Sequence, residues 1–370
     1  MKEKADFEVI SDYKLLCADQ YGELYYHAGF LYWKEHESSS CEPIYRICPK
    51  KYVKFRLIER LMRLEPRIAL PGEAPATYYV SGGGALYWVC IKEKQVQIVA
   101  KYRKGMNNPL NIVRIQGIQG FTDGYVYGDY WGNVNKECVD VNRLTADGSK
   151  ILFQFAPGEI QHIHSIDVDE KTNRVLICTG DTDEESGIWE AFDDFKSVKP
   201  LLRGSQKYRS CGAYITQKGI LYATDTPLCD NGLYLFDETE QRVSLIYEMP
   251  GPCIYTTKIK KADGTDVYIF ATSVEPDSSL PTRWYQLTYR LGAGVKTRYT
   301  HIIAGNPEDG FQDVAQFKKD ILPMWLFQFG NVQFPSVEKG RRIVCTGQSL
   351  ETYDGKTLEL QIDRMTVREL

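Results

Sequence analysis

Apolar and polar positions alternate in short bursts along most of this chain. A β-prone run ends in a small residue, often glycine, and an Asp or another short polar residue follows. Val126-Tyr127-Gly128-Asp129, Cys178-Thr179-Gly180-Asp181 and Ala223-Thr224-Asp225 are the clearest copies, with Asp steps of 52 and 44 residues. Ala271-Thr272-Ser273 and Thr346-Gly347-Gln348 are weaker copies, and Tyr79-Val80-Ser81-Gly82 and Tyr25-Tyr26-His27-Ala28 fall near the same step upstream. A second motif keeps register with the first. Asp147, Asp193 and Asp237 each sit where a hairpin must turn, and an Asp side chain there can accept hydrogen bonds from turn N–H groups.

Several short strands repeated every 40–50 residues are the signature of propeller blades. The chain is therefore expected to be all-β, a β-propeller. The blades fall at about 10–49, 68–103, 109–155, 162–202, 206–248, 253–303 and 328–363. Seven is the expected number, with six as the alternative if the N- and C-terminal strands complete one shared blade. Residues 1–370 are read as a single domain, because no long Pro/Gly/Ser linker interrupts them.

Two segments break the β pattern and predict helical insertions at 50–67 and 311–327. In the first, Phe55, Ile58, Leu61, Met62 and Leu64 have helical spacing, and Pro66 is the expected stop. In the second, Val314, Phe317, Ile321 and Leu322 share a helical face before Pro323. The first is also basic, with Lys50, Lys51, Lys54, Arg56, Arg60, Arg63 and Arg67. Its apolar face can dock on the propeller. Alternatively, 50–67 or the apolar run 321–329 makes a peripheral contact with anionic membrane or a partner enzyme.

Composition narrows the function classes. The 370 residues carry a net charge of −4, so a generic nucleic-acid binder is not expected. No apolar stretch is long enough to span a bilayer, and Met1–Asp6 opens no leader-like segment. The ten cysteines form no C-x-x-C pair, and most lie in apolar runs, which predicts a reduced, cytoplasmic protein.

Candidate chemistry follows from the repeat register, because propeller sites form where inner-strand ends and the loops after them converge. Inner-strand candidates are His162, His164, Gln206, Tyr208, Arg209, Cys253 and Tyr255. Strand-end candidates are Asp129, Asp181, Asp225, Ser273 and Glu275, with Tyr130, Trp131 and Asn133 on a following loop. His162 and His164 are two apart, so in a strand both rings share one face about 6.5–7 Å apart. One can act as general acid or base, or both can hold a metal with a carboxylate or Gln. The structural alternative is a pair of hydrogen bonds bracing neighbouring blades. No metal or cofactor is assigned.

Arg209, with Gln206 before it, can form a carboxylate fork. Asp181 and Asp225 can be an acid/base pair, or hydrogen-bond brackets repeated from blade to blade. Tyr130 and Trp131 can stack on a sugar face or plug the space between blades. Asp129 and Tyr208 complete the substrate-binding set. Asp183, Glu184 and Glu185 form an acidic loop that can hold a cation or simply face solvent.

The turn motif resembles a degenerate Asp-box, the hairpin of sialidase-superfamily propellers. Thr145 and Asp147 match it, while Ser149 and Leu152 depart from it. Residues 127–133, His162-Ile163-His164-Ser165, Thr179-Gly180-Asp181, Asp193-Asp194-Phe195, 204–209 and Thr224–Pro227 also resemble bacterial members encoded with surface-polysaccharide enzymes. That resemblance implies the propeller fold and a glycan context. Sialidase activity would need three arginines on the substrate carboxylate, and only Arg209 lies in a matched motif, so a plain sialidase is not expected. Gln161-His162-Ile163-His164 is similar, with different spacing, to the Gln/His metal cluster of oligogalacturonate lyases. The expected function is a glycoside hydrolase or polysaccharide lyase acting on an acidic sugar, with His164, Asp181, Asp225 and Arg209 catalytic. The alternative is a non-catalytic propeller that binds a glycan intermediate or scaffolds partner enzymes.

Overall fold

A computed structural model describes residues 7–36, 38, 40–48, 51–261, 263–337 and 342–361. The leader reading at Met1–Asp6, Lys50 of the basic segment and residues 362–363 of the last expected blade lie outside them. The described residues form seven sheets, six of four strands and one of five. The fold is all-β, a seven-blade β-propeller with two short helices. Among the described residues no helix is long and apolar enough to cross a membrane.

The terminal strands do share a blade: Glu8–Ser11 pairs antiparallel with Thr357–Gln361. Seven blades remain because Lys14–Arg46 builds a sheet of its own, joined by Ser336–Val337 running parallel to Lys14–Asp19.

By its contacts the chain divides into two compact units. One comprises 1–83, 88–97 and 250–370, the other 84–87 and 98–249. The second holds complete blades at 112–155, 162–203 and 210–249. Its core is β-branched and aromatic. Ile115, Val126, Val141, Ile166, Val175, Ile177 and Trp189 are buried together, each fully buried aliphatic stabilising by about 1.5–3 kcal/mol. Two arginines each latch a blade to the next one's outer hairpin. Arg143 grips Asp194 (2.9 and 2.5 Å), and Arg174 reaches Glu238 at 2.7 Å while also holding Asp169 and Glu190.

The repeated Asp turns exist, each with its own bonding. Asp237 accepts the N–H groups of Thr239 and Glu240, as expected. At the second copy Asp193, Asp194 and Phe195 are all left-handed, and Asp194, not Asp193, accepts the bonds. Asp147 is exposed beside Gly148, which takes φ +128°.

The first unit carries the two corrections to the helical insertions. Residues 311–327 are not helical. Gly310–Lys318 is a nine-residue strand pairing with Tyr299–Asn306, so that blade runs to Lys318. A register irregularity opposite Ile302/Ile303 interrupts the two-residue alternation. Val314, Ala315 and Phe317 are therefore all buried, and their spacing imitates a helix. The long repeat step instead comes from 273–298, which carries the helix Thr282–Leu287 (α2, named after α1 below). Of the run 321–329, Met324 is buried and Phe329 packs against it with Val274 and Val295, while Ile321 is exposed.

The helix in 50–67 is Arg56–Met62 (α1), after a 3₁₀ turn at Lys51–Lys54. Arg63 in the left-handed region ends it, three residues before the expected stop at Pro66. Its burial is the reverse of the expected docking. Glu59 and Arg60 are buried at 3% and 2% exposure, while Phe55, Leu57, Leu61 and Met62 face solvent.

Candidate functional site

The site lies within the second unit, at the start of strand His162–Asp169. His162 pairs in register with Gly180, and the ladder slips between Ile163 and Ser165, at His164. A regular strand would separate the two rings by about 6.5–7 Å. Here their centroids are 4.9 Å apart and the two Nε2 atoms 3.0 Å apart. The opposing strand end makes room, since a Cβ on Gly180 would lie 2.5 Å from His164 Cε1.

Hydrogen bonding fixes the tautomers. His162 Nδ1 lies 2.8 Å from the Trp131 carbonyl, and His164 Nδ1 lies 3.1 Å from the Ser210 carbonyl. A carbonyl oxygen only accepts, so each Nδ1 carries the proton and each Nε2 of the neutral ring presents a lone pair. These lone pairs face each other. They also face Asp181 Oδ1, 3.5 Å from His162 Nε2 and 3.4 Å from His164 Nε2. Burial pulls the His164 pKa down, against the opposing effect of Asp181. Burial opposes ionisation of Asp181, but positive charge, on His162 when it takes up a shared proton and on Arg209, holds its carboxyl well below the usual range. Three electron-rich atoms thus converge, and such a cluster is satisfied by a shared proton or by a bound cation.

Arg209 closes one side. Its Nη2 is 2.9 Å from Asp181 Oδ1, and its Nη1 donates to the Asp181 carbonyl at 3.1 Å. Gln206 Nε2 donates to that same carbonyl at 2.8 Å. Asp225 stands behind, 3.9 Å from Arg209, with Cys211 Sγ 3.2 Å from its Oδ2. Asp225 Oδ1 and Gln206 Oε1 are buried without a hydrogen-bond partner. The Tyr130 ring lies over His162 at 4.4 Å. Asp181 is the most exposed of these ionisable groups, with 39% of its side chain accessible.

The cluster fits a divalent metal. Possible ligand atoms of His162, His164 and Asp181 lie within 4.8 Å of one another, as do those of His164, Cys211 and Asp225. Two imidazoles and a carboxylate suit zinc or manganese, and the carbonyl behind each Nδ1 is the usual support of a metal-binding histidine.

Several expected residues have other partners. Asp129 accepts from Arg103 (2.8 Å) and Asn142 (3.1 Å), and burial pushes its pKa up to about 6. The Trp131 ring lies under Arg103 at 4.0 Å, so only its carbonyl reaches the histidines. Tyr208 packs with the hydrophobic cluster around Tyr222. Asn133 braces its own loop through the Glu137 carbonyl and ties it to the Gln161 carbonyl beside His162. Asp183 caps Gln206 N–H, and Glu185 binds Lys136, so the acidic loop has partners. In the other unit Ser273 donates to Glu275, and Tyr255 accepts from Gln333. Sequence reasoning missed Cys211 and the Trp131 and Ser210 carbonyls. The carbonyls carry no sequence signal, and Cys211 looks like any other small apolar strand residue.

No family model matches the chain, and no curated protein matches it. Solved structures share the fold. An oligogalacturonate lyase from Vibrio parahaemolyticus is similar at TM-score 0.54 and 9% identity, covering 97% of each chain. An oligogalacturonate lyase in complex with manganese is similar at 0.53 and 9%, covering 97% of this chain and 96% of that one. A chain of the mitotic checkpoint complex reaches 0.53 at 6%, covering 95% and 89%. Such different proteins at such identities share architecture alone.

Proposed function

We propose that this chain is a polysaccharide-processing enzyme that cleaves an acidic glycan by elimination. The observation that carries the reading is the convergence of His162 Nε2, His164 Nε2 and Asp181 Oδ1 beside Arg209. Two similar folds are oligogalacturonate lyases, one of them solved with manganese. His162, His164 and Asp181 would hold a divalent cation, which when bound supplies a Lewis acid for the negative charge developing on a sugar carboxylate. Arg209 orients Asp181 and adds positive charge beside the entrance. Tyr130 offers a ring face to the sugar. Asp225 accepts the proton α to the carboxylate through its unpartnered Oδ1, which is buried at rest, so the neighbouring side chains must part as the sugar enters. The released electron pair closes a carbon–carbon double bond, and the glycosidic oxygen leaves from the β-carbon, taking a proton from water. Hydrolysis is the weaker reading, because it needs a protonated carboxyl and Asp181 is held ionised.

The ten cysteines form no disulfide, which suits a reducing, cytoplasmic setting. The sialidase-superfamily resemblance rests in part on hairpin turns, of which Asp237 bonds its own turn while Asp194 is bonded to Thr122 and Arg143; it supports a role in bacterial surface-polysaccharide metabolism rather than a particular reaction.

The test is a panel of uronate-containing oligosaccharides followed by ultraviolet absorbance and by reducing-end release. Elimination gives both signals, loses them with a chelator, and falls at least a hundredfold in Asp225→Asn. Reducing ends without absorbance would indicate a hydrolase. One observation favours a non-catalytic glycan binder: Arg209 already grips Asp181 twice. Binding without turnover across the panel would establish that alternative.

A further inference from the structure

Helix α1 turns its charges inward and its apolar side chains outward. Arg60 donates to the Phe327 carbonyl (2.6 and 3.0 Å) and to Asp320 at 2.6 Å, and Glu59 accepts from Tyr26 and Arg56. Phe55 and Leu57 are left 64% and 51% exposed. Exposing such side chains costs solvation unless something apolar covers them.

A second apolar surface meets this one at Trp325. Arg63, just past α1, donates to the Trp325 carbonyl at 2.8 Å and lies over its ring at 5.7 Å. Tyr285 of α2 contacts that ring at 6.3 Å. The insertion carrying α2 is anchored by Leu291 and Val295, which pack on Val274, Met324 and Phe329. Its Trp284 and Leu287 point outward at 69% and 56% exposure.

Charge decides what covers this surface. Residues 278–300 contain Arg283, Arg290, Lys296 and Arg298 and no acidic residue, with Arg290 paired to Asp277 at 3.0 Å, and 321–330 contains no acidic residue either. In 51–64 the only acidic residue is the buried Glu59. Exposed aromatic and aliphatic tips set among exposed cations, without exposed carboxylates in the same segments, match the interface of an anionic bilayer.

We propose that α1, Trp325 and α2 form a docking surface for an anionic membrane, with Trp284, Leu287 and Phe55 entering the headgroup boundary and Arg63, Arg283 and Lys296 facing lipid phosphates. The proposal is independent of the chemistry at His162 and His164.

Vesicle co-sedimentation of the full chain tests it, comparing pure phosphatidylcholine with phosphatidylcholine containing about a third phosphatidylglycerol. Binding is expected on the anionic vesicles alone and is expected to weaken with added salt. The pair Trp284→Ser with Leu287→Ser, and separately Arg283→Glu, are each expected to lower it about tenfold or more, with unchanged melting. Leu245→Ser, an exposed apolar site in the other unit, is expected to leave it unchanged. Absent binding, equal binding to both vesicles, or wild-type binding by both patch variants overturns the proposal. So does a light-scattering dimer dissolved by the Trp284/Leu287 pair, which would make a second copy the occupant.

Discussion

Gly180 is the most informative single position, because a methyl group there acts directly on the histidine pair. Its Cβ would lie 2.5 Å from His164 Cε1, 3.0 Å from Nε2 and 3.2 Å from Arg209 Cγ. Carbon atoms in contact sit at about 3.5–4.0 Å, so the ring must retreat by roughly 1 Å. Retreat is resisted on the far side, where Nδ1 is held by the Ser210 carbonyl at 3.1 Å. Gly180 is not left-handed, so alanine adds no left-handed backbone penalty and the effect is steric. Overpacking of this kind costs about 1–3 kcal/mol. Displacing a ligand from its supporting carbonyl weakens metal binding about 10- to 100-fold. The assay is thermal unfolding in chelator and then in excess Mn²⁺ or Zn²⁺. Gly180→Ala should melt earlier in chelator and regain much less with the metal than wild type. Gly232→Ala is the control, with a Cβ 2.3 Å from Leu245 Cδ1. It should melt earlier yet keep the full metal response. A Gly180→Ala protein with wild-type melting and wild-type metal response would refute the tight packing of His164 and the site built on it.

The cation reading also predicts that wild type gains about 2.7 kcal/mol at a hundredfold excess of metal over its Kd. His164→Ala should abolish that gain, and a wild type without any gain would leave the cluster to a shared proton. Arg174→Met should cost about 3–5 kcal/mol in urea unfolding, because Asp169 and Glu190 lose a buried cation at 3.0 and 2.8 Å. Glu238→Gln, which removes a more exposed partner of the same arginine, should cost about 1 kcal/mol or less. The Arg143 guanidinium lowers the Asp194 pKa to about 2, below its unfolded value of about 3.9. Its stabilisation is therefore full above about pH 4 and is lost as pH falls toward 2. Asp194→Asn should remove about 1 kcal/mol or less of that acid-side stabilisation in melts across the range, because solvent screens the pair.

What was legible in the sequence was whatever repeats. The Gly-Asp strand ends at 128–129 and 180–181 gave the blade step, and the seven sheets follow it. Local exceptions were not legible. The irregularity opposite Ile302/Ile303 made a strand read as a helix, because periodicity carries the burial pattern without its pairing partner. A similar slip at His164 changed the site, bringing the rings closer than an ideal strand allows. His162, His164, Asp181 and Arg209 stand out in the sequence because their residue types announce chemistry, and the structure brings them together. Equal register did not mean equal role. Asp129, Asp181 and Asp225 follow the second strands of successive blades, yet Arg103 and Asn142 engage the first, the histidines surround the second, and the third keeps an oxygen without a partner. The repeat fixes where each carboxylate stands. The loop residue that reaches it from outside the repeat, Arg103 in one case and Arg209 in the next, decides whether it braces a blade or is available for chemistry.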